Sequence, residues 1–204
     1  MAEHNTLTGS SLHECKGVAT ATSGQLQYAN GSGGAAWTTP TLAASAPNVV
    51  ATADEVNRAA DVSTRLIAAG GTLAVTVAAH DGKTILLNTL TGSVCTLPAA
   101  TGSGGRFKFA VSVLATSNSH IVKVAGSSDI IQGLVSTIDT DTAGTITGFA
   151  TAADSDTITL NRTTTGSVMR GEWLELEDVA TNLWTVRGQL SNTASGATPF
   201  SATV

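Results

Sequence analysis

From residue 72 onward, apolar and polar positions alternate with a period of two. Leu73, Val75 and Val77 are separated by Ala74 and Thr76, and Phe107, Phe109, Val111 and Val113 alternate with Arg106, Lys108, Ala110 and Ser112. Successive side chains on an extended backbone point to opposite faces, so this period marks strands with one buried face. Further short runs lie at 83–88, 93–97, 120–124, 130–135, 145–149, 157–160, 172–177 and 183–190. They recur about every 8 to 14 residues, with Asp81-Gly82, Thr91-Gly92 and the stretch Gly102-Ser103-Gly104-Gly105 as turn signals. The pattern predicts a mainly β domain over 72–204, an antiparallel β-sandwich or a jelly-roll-like barrel. In its last two predicted strands Leu174 and Leu176 share one face, as do Trp184, Val186 and Leu190. Trp173 falls opposite Leu174, which makes it a candidate contact with a neighbouring copy if it is exposed.

Upstream the period changes twice. Residues 52–69 read as one short helix within a 51–71 linker. Thr52 and Glu55 have capping-box spacing, Gly70-Gly71 supply a stop, and Val56, Ala60, Ser63 and Ile67 form a narrow stripe of small and apolar side chains. Residues 1–50 show almost no period, and Gly, Ser, Thr, Asn and Pro interrupt every apolar run. Leu7, Leu12, Val18, Leu26, Tyr28 and Trp37 are nevertheless more anchors than a flexible linker needs. This segment is expected to be an extended arm that orders against something else.

Composition changes the picture in one respect. Ala, Thr, Ser and Gly make up about half of the 204 residues and only 12% are charged, against roughly a quarter in an average soluble domain. So little charge points to a surface largely covered by copies or partners. The net charge of −5 and the scattered Lys and Arg leave no basic stripe for nucleic acid. No apolar run has the length of about 20 residues that spans a bilayer, and the first residues lack signal-peptide character, so no membrane partner is expected.

Candidate chemistry is sparse. His4, His13, His80 and His120 show neither metal-ligand nor triad spacing, and His13-Glu14 point apart on an extended segment. Asp139/Asp141 and Asp154/Asp156 could each begin a calcium site, but a full one takes six or more oxygens, so solvated turn carboxylates are the expected reading. Gly102-Ser103-Gly104-Gly105 lacks the Lys of a phosphate loop and reads as a turn, as does the Thr163-Thr164-Thr165-Gly166 stretch. Cys15 and Cys95 have no paired spacing and are expected to be incidental thiols. No catalytic, cofactor or metal residue is assigned.

Leu12-His13-Glu14-Cys15-Lys16-Gly17-Val18, followed by 24–31 and ending near Trp37, resembles an N-terminal motif of tailed-bacteriophage structural proteins, with Cys15 where proline is common. Residues 53–65 resemble a junction recurring in such proteins, and residues 97–104 a strand-end loop of phage head and tail β-domains. The resemblance implies a capsid decoration (cement) or head-fibre protein: a homotrimer on the virion surface, made in the host cytoplasm. Its arm would contact the major capsid protein and its β-domain would face outward. Leu12, His13, Glu14, Lys16, Tyr28 and Trp37 of the arm, with Val56, Ala60 and Ile67 of the stripe, are then the partner-binding candidates. The alternative is a head-fibre or tail-fibre module that binds host-surface glycan. No fixed repeat of 20 to 50 residues is evident and only 4% of residues are aromatic, which favours decoration.

Overall fold

The computed structural model describes residues 26–29, 35–38, 64–141 and 144–204. The chain divides into two units, Met1–Asn57 and Arg58–Val204. In the first, β1 (Leu26–Ala29) and β2 (Ala35–Thr38) form an antiparallel ribbon.

The second unit is mainly β and builds two sheets that enclose one core, a β-sandwich. Its first six strands alternate strictly between the sheets. Sheet I receives β3 (Leu66–Ala68), β5 (Thr84–Leu87) and β7 (Arg106–Val111), while sheet II receives β4 (Thr72–Ala74), β6 (Val94–Thr96) and β8 (His120–Lys123). Each strand pairs in parallel with its predecessor in the same sheet. The chain therefore winds as a flattened coil, each strand of the opposite sheet acting as the crossover that parallel pairing requires. Registers such as Leu66 to Thr84, Thr84 to Lys108, Thr72 to Val94 and Val94 to Ile121 show turns of unequal length, so the repeat leaves no fixed period in the sequence.

The remaining strands close the sandwich. β9 (Ile130–Asp139), β10 (Ile146–Ala150), β12 (Trp173–Ala180) and β13 (Leu183–Asn192) complete sheet I in the order β10-β9-β13-β12-β7-β5-β3. β11 (Thr157–Leu160) and β14 (Phe200–Ser201) complete sheet II as β14-β11-β8-β6-β4. The expectation of antiparallel sheets is corrected here. β12 pairs antiparallel with β7 and β13, but β13 runs parallel to β9, so sheet I is mixed. Alternation reports which face a residue occupies and is blind to the direction of the neighbouring strand.

A second correction concerns the helix predicted over 52–69. Residues 52–63 lie outside the described residues, but Leu66–Ala68 form a strand, in which Ile67 pairs with Ile85. Thr84 N donates to Arg65 O and Ala69 N to Leu86 O, at 2.8 and 2.9 Å. The stripe through Val56, Ala60 and Ser63 thus does not continue as helix to Ile67. The one helix among the described residues, α1 (Val77–His80), lies where the alternation of Leu73, Val75 and Val77 predicted strand. Thr76 starts it: its Oγ1 accepts from Ala79 N, while its own N–H donates to His80 Nδ1 at 3.0 Å.

The inner faces carry the predicted alternation. Phe107 and Phe109 of β7, Leu174 and Leu176 of β12, and Trp184 of β13 are buried against Cys95, Val122, Ile158 and Leu160 of sheet II. Phe107 and Trp184 meet with ring centroids 5.7 Å apart. At Gly133 of β9 (φ +147°) a Cβ would stand 2.0 Å from Val186 O, so only glycine lets β9 lie against β13 there. Burial pushes the Cys95 thiol up to about 12, consistent with an unreactive core thiol, whereas Cys15 lies outside the described residues.

Three buried polar groups tie loops to this core. His120 Nδ1 accepts from Ser93 N at 2.9 Å and its Nε2 donates to Val113 O at 2.8 Å, while burial lowers its pKa and keeps it neutral. Asp156, expected to be a solvated turn carboxylate, is instead buried. It accepts from Thr157 Oγ1, Thr203 N and Val204 N, which anchors the C-terminus. The third group explains the Gly102–Gly105 turn. Asp178 Oδ1 and Oδ2 accept from the N–H groups of Thr101, Gly102 and Ser103 and from the Ser103 hydroxyl, at 2.7 to 3.1 Å. A cradle of successive N–H groups of this kind suits an anion, and here the chain supplies its own.

Desolvation alone would raise the pKa of Asp178, but the Ser103, Gly102 and Thr101 donors together outweigh it and hold it at about 2. Because the folded value lies below the unfolded one, the stabilisation is complete above about pH 4 and is lost as pH falls toward 2. Asp178→Asn is expected to cost about 2 kcal/mol at neutral pH and to flatten this acid limb. Urea unfolding of both proteins between pH 2 and 7 measures it.

Candidate interaction face

The outer face of sheet I is built by the residues between the buried ones. Strand registers align them in transverse rows. One row runs Ala150, Leu134, Arg187, Glu175, Lys108 and Thr84, from β10 to β5. The next brings together Gly148, Ser136, Gln189, Trp173 and Ala110.

The centre of this face is charged but internally matched. Arg187 bonds to Glu175, Arg106 Nη2 donates to Glu177 at 3.0 Å, and Arg106 Nε lies 3.8 Å from Glu175. Lys108 Nζ sits 5.2 Å from the centroid of the Trp173 ring, a cation–π contact that occupies one aromatic face. Such exposed pairs add little stability and act mainly to set the charge pattern of the surface.

Toward β9 and β10 the face becomes apolar. Ile146 is 71% exposed, Leu134 65% and Ile138 37%, with Ile146 directly across from Ile138. No charged residue falls within β10 or between Ile130 and Ile138 of β9. A shallow groove of about 230 Å³ runs from Ile138 to Met169 and Trp173, with Arg170 and Gln189 also on its walls. Met169 is presented by a loop that Glu172 holds. The buried Glu172 carboxylate accepts from Ser167, Val168 and Met169 N–H, and burial, only partly offset by these donors, raises its pKa. β10 ends the sheet, so among the described residues no strand pairs with its outer row of backbone N–H and C=O groups.

Of the partner-binding candidates from the sequence, Leu12, His13, Glu14, Lys16, Val56 and Ala60 lie outside the described residues. Tyr28 pairs with Ala36 and Trp37 with Gln27 in the β1–β2 ribbon, one register step apart. Ile67 is half-buried in β3 and is not part of the outer-face patch. Sequence reasoning singled out Trp173 as an outward residue but missed Leu134, Ile138 and Ile146. Each occupies the outward position of its strand while being apolar, and that mismatch was the available signal. Asp139 and Asp141 brace the following turn: Asp139 Oδ1 accepts from Asp141 N, and Asp141 Oδ2 from Ala194 N. Among the described residues no group of three or more His, Cys, Asp or Glu side chains is close enough to hold a metal ion, and no helix is long and apolar enough to cross a membrane.

The two tryptophans of this unit should separate surface from core. Trp184→Ala is expected to cost about 3 to 5 kcal/mol, whereas Trp173→Ala should stay within about 1 kcal/mol of the parent while altering surface-dependent association. Chemical denaturation monitored by circular dichroism compares them. In comparisons with known proteins, no protein-family model matches the chain and no curated protein matches it significantly in sequence.

Proposed function

We propose that this chain is a non-catalytic structural component of a tailed-phage particle, a capsid decoration protein that assembles as a homotrimer on the major capsid protein and stabilises neighbouring capsomers. The observation that supports this reading best is the outer face of sheet I. It is broad, shallow and close to neutral, with exposed isoleucine and leucine beside matched charges, a chemistry suited to protein contact. The phage particle itself enters through the resemblance of 12–37, 53–65 and 97–104 to structural proteins of tailed phages. Adhesion needs no deep site, because three linked subunits raise one another's effective concentration and turn individually weak contacts into a lasting clamp.

The head-fibre or tail-fibre reading, with host-surface glycan as ligand, has less support. Sugar recognition uses open aromatic platforms, and the one tryptophan on this face carries Lys108 over its ring.

Mixing the purified chain with particles that lack it tests the proposal. Saturable binding at symmetry-related sites, with a rise in the temperature at which the particles release their genome, is expected. Removing residues 1–50 should abolish binding while the circular dichroism of the β-sandwich persists. Absence of binding by the full chain, or binding to host polysaccharide in its place, would overturn the assignment.

A further inference from the structure

The resemblance leaves open which surface joins the subunits to one another, and the sequence pointed to the Val56–Ala60–Ile67 stripe. Of that stripe only Ile67 lies among the described residues, half-buried in β3. We propose that copies of this chain associate through the β9–β10 end of the outer face of sheet I, with Leu134, Ile138 and Ile146 at the centre of the contact and Met169 and Trp173 at its margin.

Three properties of the face favour a second copy as the occupant. The first is charge. Arg106 and Arg187 stand beside Glu175 and Glu177 on one surface, with Lys108 over the Trp173 ring as a third cation, so a second copy can place cations opposite anions. The second is relief. The Ile138–Ile146 pair makes a ridge, the neighbouring Ser136–Gly148 pair a trough, and Leu134 beside Ala150 a second knob. A ridge of large side chains next to a trough of small ones can receive its own copy. The third is size. The strands from β10 to β7 hold 5, 10, 10, 8 and 6 residues, which at about 3.3 Å by 4.8 Å per residue give a face on the order of 600 Å², the lower end of what each partner contributes to a stable interface.

The edge adds a further reason for coverage. β10 reads Ile-Thr-Gly-Phe-Ala, without the charge or proline that usually guards an exposed edge strand. An edge with no partner strand among the described residues invites uncontrolled pairing, and a closed assembly removes it.

This inference rests on the proposed self-assembly but not on capsid binding, and the two are tested separately. The full chain, Leu134→Lys with Ile146→Lys, and the control Leu90→Lys are compared by light scattering coupled to size-exclusion chromatography. Leu90 is equally exposed but lies in the β5–β6 connection, away from the face. The parent and the control should run at three times the chain mass, and the double variant should fall to the monomer mass with unchanged circular dichroism. A parent dimer lost in the double variant would uphold the face and overturn the trimer. A monomeric parent, or an oligomer that the double variant leaves intact, would overturn the face, and a monomer that still binds particles would leave the decoration reading standing.

Discussion

A strand of three or four residues cannot hold itself together, and most strands in the first half of the sandwich are that short. What makes them a structure is parallel registration between successive turns of the coil. β3, β5 and β7 stack in one sheet and β4, β6 and β8 in the other, so each turn contributes one strand to each layer. Backbone hydrogen bonds are satisfied between turns, and the alternate side chains of both layers meet in one core. With so few charged groups and only one four-residue helix among the described residues, little else could stabilise this part of the chain.

That dependence explains where the buried polar groups lie. A coil of unequal turns needs its connections fixed, because a slip of one residue would exchange core and surface. Asp178 gathers the N–H groups before β7, His120 joins the connections that precede β6 and β8, and Asp156 clamps the last residues beside β11. Each is a group whose own desolvation is offset by several hydrogen bonds, and each spans a gap that short strands leave open. The acidic residues that resembled fragments of a metal site in the sequence are, at Asp139, Asp141 and Asp156, holders of backbone.

The same arrangement separates the two faces of sheet I. The inner face must be apolar for the sheets to pack, so its composition reports stability alone. The outer face is free of that demand, and its apolar residues at Leu134, Ile138 and Ile146 therefore call for another explanation. They lie on β9 and β10, the two strands at one end of sheet I, which is why the proposed contact between copies is placed there. In the charged centre, by contrast, Arg106 and Arg187 are already paired with Glu175 and Glu177 within the chain.

By itself the sequence determined strands β5 to β13 and which of their side chains face inward. Thr157–Leu160 was legible without change, and the burial of Phe107, Phe109, Leu174, Leu176 and Trp184 followed from alternation, because the two-residue period is local and survives any tertiary arrangement. It also marked Asp81-Gly82, Thr91-Gly92 and Gly102–Gly105 as turns, since glycine at positive φ is a local requirement. Only the tertiary structure decided that neighbouring strands run parallel, that Leu66–Ala68 join a sheet, and that Val77–His80 turn helical. Strand direction depends on partners distant in the chain, and a three-residue strand or a single helical turn carries too little pattern to outweigh them. The outer-face patch was divided in the same way. The apolar identity of Leu134, Ile138 and Ile146 stood in the sequence, but their convergence on one face needed the register of β9 against β10 and β13, which hydrogen bonds across the sheet establish.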